Sequence, residues 1–598
     1  MSEAHAQSPP KRPFVDDPDG AWSTAHCIMA SNAAVEIPRP SGHADAHPDA
    51  LELSRSAQLT LTVSRWLVGR GLRDAASVAR FLDPRLQDMT DPSQMADRQL
   101  AAERIARAVR VGESICVFGD YDCDGITSAA IMTSVLRALG AKVTPLLASR
   151  FDGGYGVSAA ATRRIVASGA SLLITCDCGS SDHTSLAELG KGGIDIVVID
   201  HHLVPAEPLP ALAFLNPNRP DCGFDFKGLA SCGLALSIAA ALRKELGKDL
   251  DLRKWLDLVA IGTIADVVPL ERDNRALTRA GLLRIAGGER PGVRALLELA
   301  RFDAASRISG EDVAFRIAPR INAPGRLGPP DLALELLLAD TPDAARGIAA
   351  QIEQLQKERR AIQDRMIAEA VEEIERESWA DRAAIVIGRA DWNHGIVGIV
   401  AGRLVGRYGK PCVVIGFEDG RGRGSVRGPA GSRLHDALTD SKSVLERFGG
   451  HQAAAGLEVR EDRLGELREA FEAACTRIAE STDAVGAEPQ ATVLLEPGDD
   501  PRQVLADLER LEPCGQGNPQ PQLVADVRVV AAREVRGGHL KLELELSGGA
   551  RLSGFGPSLG AQAGELGSRA QVRGSLRADS YRGGGAVEMR VSEVRSLE

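Results

Sequence analysis

The sequence predicts two α/β units followed by a small all-β domain. Two stretches, about 56–340 and 379–480, alternate short apolar runs with helical patterns, and the last 110 or so residues contain only short strand-like runs. Alternation of this kind is typical of right-handed β-α-β units around a parallel sheet. A chain of 598 residues has room for several domains of about 150 residues each.

Composition narrows the class of protein. Hydrophobic residues make up 44% and charged residues 26% of the chain, as in ordinary globular domains. The net charge of -11 gives no support for a nucleic-acid partner, although it does not exclude a local basic groove. No apolar run reaches the roughly 18 residues of a membrane-spanning helix, so we expect no membrane partner. Ten cysteines without a secretory signal indicate reduced thiols and a cytoplasmic location.

The N-terminal stretch differs from the rest. Residues 1–55 are rich in Pro, Ser, Ala, Asp and His and show no periodicity, which predicts a disordered extension. The first α/β unit follows over 56–340. Its predicted strands are the runs ESICVFGD, AKVTPLLAS, ASLLITCDCG and DIVVIDHH, and its predicted helices include ITSAAIMTSVLRALG and AAATRRIVASGA.

The second half divides into three parts. Residues 341–378 are dense in helix formers and contain no proline after Pro342, which predicts a long connecting helix. The second α/β unit covers 379–480, with AAIVIGRA and PCVVIGFE as strands. The stretch STDAVGAEPQ resembles a linker, and the strand-like runs within 481–598 have the spacing of a small barrel or sandwich.

The stretch VFGDYDCDGITS (117–128) places three aspartates at alternate positions before a glycine, as at the start of a calcium-binding EF-hand loop. An EF-hand loop also needs a bidentate Glu at its twelfth position. That position is Ile131, inside an apolar helical run, and a strand rather than a helix precedes the loop. Both observations argue against a calcium loop.

A second interpretation comes from where metal-ligand residues meet the predicted sheet. Ligands gather at the carboxyl ends of parallel strands, and three predicted strands end there in acidic or imidazole side chains. A further acid lies in the apolar run LVAIGTIADVVPL, where burial of an unpaired carboxylate is costly. Crowded carboxylates with imidazoles suit two divalent cations, Mn²⁺ rather than Mg²⁺. The residues are Asp120, Asp122, Asp124, Asp177, Asp200, His201, His202 and Asp266.

These residues carry a resemblance to a known family. DYDCDG, TCDCG, IDHH and ADVVPL, in that order, resemble the four motifs of the DHH phosphoesterases. Further motifs resemble the RecJ exonucleases within that superfamily, namely RFDGGYG (150–156), APRINAPGRLG (318–328), DWNHGIVGIVAGRL (391–404), GSVRG (424–428), LHDAL (434–438), FGGHQAAAG (448–456) and LEPCGQGNPQP (511–521). The resemblance covers about 65–598. It implies that the α/β units are a DHH and a DHHA1 domain and that the last domain is an OB-fold.

The resemblance also assigns roles at the predicted sheet edge. The implied metal ligands are Asp122, Asp124, Asp177, His201 and Asp266, with Asp177 bridging two cations, Mn²⁺ or Mg²⁺. Asp120 and Asp200 either ligate or orient their neighbours. His202 is implied to face the scissile phosphate as a hydrogen-bond donor or proton carrier.

Substrate-binding roles are implied for residues farther along. Arg150, Ser425 and Arg427 match residues that hold a 5′ phosphate, with GSVRG expected to be a glycine-rich loop. His451, Arg320, Asn322 and Arg326 are expected along the DNA path; for the last three, structural salt bridges are the alternative. The predicted OB-fold has few aromatic residues on which bases could stack. We therefore expect it to contact the sugar-phosphate backbone of the DNA through Arg536, His539, Lys541 and Arg577.

The resemblance implies a single-stranded-DNA-specific 5′→3′ exonuclease that releases 5′ mononucleotides by a two-metal mechanism, in DNA repair and recombination. The implied partners are single-stranded DNA with a 5′ end, single-strand-binding protein and a DNA helicase, and the protein is expected to be a monomer. One alternative is a DHH phosphodiesterase acting on short oligonucleotides or cyclic dinucleotides. The other is a non-catalytic DNA-binding scaffold of the same fold.

Overall fold

The computed structural model describes residues 48–302, 307–450, 452, 454–481, 492–579 and 585–597. Most of the predicted disordered extension and most of the predicted linker lie outside these ranges, as do His451 and Tyr581. No helix in the described part of the chain is both long enough and apolar enough to cross a membrane. The nine cysteines in these ranges are all free, and seven of them are buried.

The first α/β unit is built on a five-stranded parallel sheet with the order β2-β1-β3-β4-β5. All four predicted strands are present, and a short fifth strand was missed. The strands are β1 (Ser114–Gly119), β2 (Lys142–Leu147), β3 (Leu172–Cys176), β4 (Asp195–Ile199) and β5 (Ala213–Leu215). Strands β1, β3 and β4 are almost fully buried, which explains their continuous apolar runs.

Helices cover both faces of this sheet and continue beyond it. The helix ITSAAIMTSVLRALG was predicted, and it packs with its neighbours into the largest apolar core. After three N-terminal helices, α1 (Pro48–Ala57), α2 (Leu61–Gly69) and α3 (Ala75–Leu82), this unit contains α4 (Arg98–Val111), α5 (Cys123–Ala138), α6 (Ala159–Ala167), α7 (His183–Lys191), α8 (Ser231–Glu245), α9 (Leu256–Ala265), α10 (Arg272–Gly287), α11 (Pro291–Leu299), α12 (Gly310–Asp312), α13 (Ala318–Ile321), α14 (Pro324–Leu327) and α15 (Asp331–Leu338).

The predicted connecting helix is confirmed as α16 (Pro342–Arg376), 35 residues long, with the side chain of Thr341 capping its start. It leads into a second, mixed sheet with the order β6-β7-β8-β10-β9. Its strands are β6 (Ile385–Arg389), β7 (Cys412–Glu418), β8 (Arg421–Arg427), β9 (Arg447–Gly450) and β10 (Ala454–Arg460), accompanied by α17 (Val397–Tyr408), α18 (Leu434–Asp440) and α19 (Leu464–Ser481).

The last domain is a six-stranded sheet in which β12 also pairs with β15, so that the sheet closes into a barrel. Regular alternation of buried and half-buried residues along β13 explains why its strand character is visible in the sequence. The elements are β11 (Thr492–Leu494), α20 (Pro501–Glu509), β12 (Gln522–Val535), β13 (His539–Leu546), β14 (Arg551–Gly556), β15 (Arg569–Ala578) and β16 (Val587–Ser596).

The N-terminal boundary was wrong. Residues 48–55, predicted to be disordered, form most of α1, and Leu53 is fully buried. Helices α1 to α3 share one apolar core with the barrel rather than with the first sheet, so residues 56–82 belong with the barrel. Backbone amides of Thr60 and Thr62 donate to carboxylates of the barrel domain, Asp507 and Asp499. These contacts join segments more than 430 residues apart and carry no local sequence signal.

One arginine fastens this composite domain to the first α/β unit. Arg275 of α10 is 2% exposed and donates to the carbonyl oxygens of Phe81, Leu511 and Pro513. Burial lowers its pKa to about 10. The LEPCGQGNP segment therefore helps to join the barrel to the first α/β unit.

Candidate metal centre

The first wall of the site follows β1. Asp122 caps the start of α5, because its Oδ1 accepts hydrogen bonds from the amides of Asp124 (3.0 Å) and Gly125 (3.1 Å). A side chain at Gly125 would lie 2.6 Å from the carbonyl oxygen of Asp120, so this close approach requires glycine. Asp120 and Asp124 are both buried.

The second wall comes from the ends of β3 and β4. Asp177, directly after β3, has a left-handed backbone (φ 65°), a conformation that is uncommon for a non-glycine residue. Asp200, His201 and His202 follow β4. Asp266 ends helix α9 and completes the site. The structure thus brings the residues after β1, β3 and β4 together with Asp266.

Their side chains approach one another closely. His201 Nε2 lies 3.4 Å from Asp177 Oδ1 and 3.3 Å from Asp266 Oδ2. Three groups have possible ligand atoms within 4.8 Å of one another: Asp177 with His201 and His202, Asp124 with His201 and Asp266, and Asp120 with Asp122 and Asp177. We refer to these seven residues as the acidic centre.

Electrostatics in the acidic centre are unfavourable without a cation. Burial, followed by repulsion from neighbouring carboxylates, raises the pKa of Asp120, Asp177 and Asp266 well above the usual range. Asp120 Oδ1 and His201 Nε2 are buried without a hydrogen-bond partner in the described structure. Buried charges that are not paired within the protein are normally matched by a bound ion.

Asp200 behaves differently from the other acids. Its Oδ1 accepts from the amide of His201 (2.8 Å) and from His202 Nδ1 (2.8 Å), and its Oδ2 accepts from the amide of Ser180 (3.0 Å). Burial acts to raise the pKa of Asp200, but these hydrogen bonds bring it below the usual range. Burial disfavours the imidazolium of His202, yet the bond to Asp200 and the nearby carboxylates raise its pKa to about 9.

Some contributors to the acidic centre were missed. The start of helix α8 binds Asp124, with the amides of Ser231 and Cys232 donating at 2.7 and 3.0 Å, and Ser231 Oγ donates to Asp177 Oδ1 at 3.0 Å. Tyr155 contacts His202. Tyr155 lies in the quoted motif RFDGGYG and could have been considered, whereas nothing in the sequence links Ser231 to Asp124.

Three arginines lie beside the acidic centre, and we call them the arginine cluster: Arg150, Arg326 and Arg427. The guanidinium carbon of Arg150 is 3.8 Å from the ring centre of Tyr121, between Asp120 and Asp122 in the chain. Burial, then the charges of the other arginines, lower the pKa of Arg326 to about 9 and also lower that of Arg427. Arg326 donates to the carbonyl of Gly395 (2.9 Å).

The contacts of Arg427 correct one prediction. GSVRG is not a loop, because it ends strand β8 and pairs with β7 and β10. Arg427 donates to Ser425 Oγ and to the carbonyl of Val426, both at 2.8 Å. In the described part of the chain, no hydrogen bond or ion pair joins the side chains of these three arginines to a carboxylate. The cluster therefore presents guanidinium groups that are not directly paired with an acid.

Two further residues predicted along the DNA path, Arg320 and Asn322, differ in their contacts. Arg320 is 8% exposed and forms an ion pair with Glu353 at 2.8 Å, so the structural alternative holds for it. Asn322 is half-buried, and its Oδ1 has no hydrogen-bond partner in the described structure.

On the barrel, the expected basic residues are mostly paired. Lys541 Nζ and Arg577 Nη2 each lie 2.5 Å from a carboxylate oxygen of Glu588. His539 accepts from the amide of Ser558 (3.1 Å) and contacts Phe555 edge-on. Arg536 is exposed in the turn after β12.

Comparison with known proteins agrees with this architecture. The DHH family N-terminal domain matches residues 114–263, the DHHA1 domain 381–477 and the RecJ OB domain 494–593. The chain is 36% identical over 524 residues to the single-stranded-DNA-specific exonuclease RecJ of Dickeya dadantii, covering 83% of this chain and 89% of that protein. The chain belongs to the RecJ family. The predicted fold class, two α/β domains and a C-terminal OB-fold, is confirmed.

Other RecJ proteins also match most of this chain, although the covered share of their own length differs. The Bacillus subtilis RecJ is 35% identical over 526 residues, or 86% of this chain and 65% of that protein. A crystal structure of Thermus thermophilus RecJ with Mn²⁺ superposes with a TM-score of 0.78 at 30% identity, covering 92% of this chain and 78% of that one. The Mg²⁺ complex of the same protein has a TM-score of 0.73 at 29% identity.

Proposed function

We propose that the chain is a divalent-metal-dependent exonuclease that degrades single-stranded DNA from its 5′ end and releases 5′ mononucleotides, as part of DNA repair and recombination. Its membership of the RecJ family supports the activity and the substrate class. The observation that supports the polarity is the position of the arginine cluster, whose guanidinium groups are not directly paired with an acid and lie next to the acidic centre. A terminal phosphate dianion is the part of a DNA strand that best matches such a group.

The donors of the acidic centre fit two divalent cations. Carboxylate oxygens with one or two imidazoles suit Mn²⁺ and Mg²⁺, the ions named for the Thermus thermophilus structures. Asp122, Asp124, Asp177, His201 and Asp266 would hold them. We add Asp120, because its Oδ1 is buried without a hydrogen-bond partner in the described structure, and we assign Asp200 to orienting His202, because its Oδ1 accepts from His202 Nδ1 and it belongs to none of the three ligand groups of the acidic centre. When bound, such cations activate water and offset charge on phosphoryl oxygens.

His202 has a separate role in this proposal. Its Nδ1 is held by Asp200, so its Nε2 is the ring nitrogen that can reach a substrate. The hydrogen bond to Asp200 raises the pKa of His202 and so favours a ring that carries hydrogen on both nitrogens. His202 would therefore donate a hydrogen bond to the scissile phosphate, where negative charge increases during hydrolysis.

The arginine cluster would grip the strand end. Arg150 and Arg427 would bind the 5′ phosphate, Ser425 would orient Arg427 through its hydroxyl, and Arg326 would add charge from the side of the first domain. His451 stays a prediction for the DNA path. A phosphate held one nucleotide from the acidic centre would place the first internucleotide bond at the site of cleavage.

The barrel would bind the strand beyond the cleavage site, which favours a polymer over the short substrates of other DHH phosphodiesterases. We retain single-strand-binding protein and a helicase as proposed partners, a monomer as the proposed state and the cytoplasm as the proposed location. A non-catalytic scaffold is disfavoured because every acidic residue of the DHH motifs is present and converges on one site.

A labelled-strand assay tests this function. Single-stranded DNA carrying its label at the 5′ or at the 3′ end is incubated with Mn²⁺, Mg²⁺, Ca²⁺ or chelator. We expect the 5′ label to appear at once as mononucleotide with Mn²⁺ or Mg²⁺, and the 3′ label to remain on progressively shorter strands. Degradation that begins at 3′ ends, that is equally fast on duplex DNA or that survives chelation would overturn the proposal.

A further inference from the structure

Tyr155 lies against His202 at the edge of the acidic centre. The two rings meet edge-on with centres 5.3 Å apart. The phenol oxygen is 3.0 Å from His202 Nδ1 and 3.2 Å from the carbonyl oxygen of Asp177. Tyr155 is 41% exposed, so the residue does not simply fill a core position.

The hydrogens of this group can be assigned from the acceptors. A carboxylate and a carbonyl oxygen only accept, so His202 Nδ1 carries the proton that goes to Asp200 Oδ1 (2.8 Å) and shares it with the phenol oxygen. The Tyr155 hydroxyl hydrogen then points at the Asp177 carbonyl. The phenol thus links the backbone of one acid to the imidazole.

The loop that carries Tyr155 is built to hold it. The amide of Gly154 donates to Ser149 at 2.9 Å, and the amide of Val157 donates to Asp182 Oδ2 at 2.8 Å. Gly156, next to Tyr155, has φ 78°, and a side chain there would lie 2.6 Å from the Asp182 carboxylate. The same loop begins with Arg150 of the arginine cluster.

We propose that Tyr155 is a positioning residue for hydrolysis: its hydroxyl, together with Asp200, fixes the imidazole of His202 so that Nε2 faces the scissile phosphate. Asp200 alone leaves the ring free to pivot about a single hydrogen bond, and the second contact removes that freedom. The same loop also supplies Arg150. It would therefore position both the arginine that binds the strand end and the tyrosine that orients His202. This inference rests on the proposed exonuclease function.

The direct test is Tyr155→Phe, which removes the hydroxyl and keeps the ring. We expect kcat on a short 5′-phosphorylated strand to fall roughly tenfold or more, as for other residues that orient a catalytic group through a hydrogen bond. KM, the Mn²⁺ concentration for half-maximal activity and the unfolding temperature should stay close to those of the wild type. The matched control is Tyr408→Phe, since Tyr408 ends helix α17 in the second α/β unit.

A double-mutant cycle with His202→Ala separates positioning from other roles. If Tyr155 acts through His202, removing the hydroxyl in the His202→Ala background has no further effect on kcat. Additive losses would mean that Tyr155 acts through the Asp177 backbone instead and would overturn the inference. A changed ¹⁵N shift of His202 in metal-free Tyr155→Phe, with the other histidines unmoved, is the expected spectroscopic counterpart.

The outcomes are distinguishable from a failure of the proposed function. If the wild type does not degrade single-stranded DNA at all, the function is wrong. If the wild type is active and Tyr155→Phe keeps the full kcat, only the positioning role is overturned. A lower unfolding temperature or a shifted Mn²⁺ requirement together with unchanged kcat at saturating metal would likewise show a merely structural role.

Discussion

The acidic centre with its arginine cluster, which we call the cleft, and the surroundings of Glu588 on the barrel both carry buried or half-buried charges, but the two regions balance these charges in opposite ways. On the barrel, Glu588 is enclosed by Lys541 and Arg577, so its charge is balanced within the protein. In the cleft, acids cluster with acids and arginines with arginines. Charges left unbalanced by the fold mark where a ligand must complete them, whereas balanced charges mark sites that stabilise the fold.

Among substitutions that test this difference, Asp177→Asn should have the largest effect on activity. We expect kcat to fall by about a thousandfold or more, because cations held at this position contribute several kcal/mol to the transition state. In the absence of metal the variant should unfold at the same temperature as the wild type or at a higher one, since a repelling buried charge is gone. Activity near that of the wild type would show that the acidic centre is not the reaction site.

Arg150→Met should have the next largest effect. Loss of one charge-assisted contact, about 1.5–3 kcal/mol, should lower kcat/KM for 5′-phosphorylated strands roughly tenfold to a hundredfold. Strands with a 5′ hydroxyl should be affected much less, because they lack the dianion. Steady-state assays on matched oligonucleotides give both values, and equal losses on the two substrates would argue against a phosphate contact.

Glu588→Gln on the barrel should have the smallest effect on chemistry. Lys541 and Arg577 lose their shared partner, and we expect the free energy of unfolding to fall by about 1 kcal/mol, a modest value because Arg577 is partly exposed. Turnover of a short strand should stay unchanged, since such a strand does not need the barrel. Denaturant unfolding and a turnover assay check the two parts, and a large loss of turnover would remove the contrast with the cleft.

Much of the cleft could be predicted because its acidic and imidazole residues follow strands that the local sequence already indicates. Strands β1, β3 and β4 are continuous apolar runs, and the residues directly after them, such as Asp122, Asp177 and His201, must meet at one sheet edge. The ligand types at those positions already favour divalent cations. The length of α16 could also be predicted, because a long run of helix formers without an internal proline has few conformations available other than a helix.

What could not be predicted depends on contacts between distant segments. Nothing near α2 indicates that its first amides bind Asp499 and Asp507 of the barrel domain. The glycines of GSVRG suggest a loop, yet β7 and β10 hold the segment in a sheet. Arg320 resembles other basic residues of its motif in sequence, and only its partner Glu353 reveals a structural role.

The end preference of the enzyme tests the central contrast most directly. The quantity is the ratio of kcat/KM for a 5′-phosphorylated strand to that for the same strand with a 5′ hydroxyl, measured for the wild type, Arg427→Met and Arg577→Met. We expect the wild type and Arg577→Met to share a strong preference for the phosphate, and Arg427→Met to lose most of it. A preference that survives Arg427→Met, or that disappears in Arg577→Met, would contradict the assignment of the cleft arginines to the strand end.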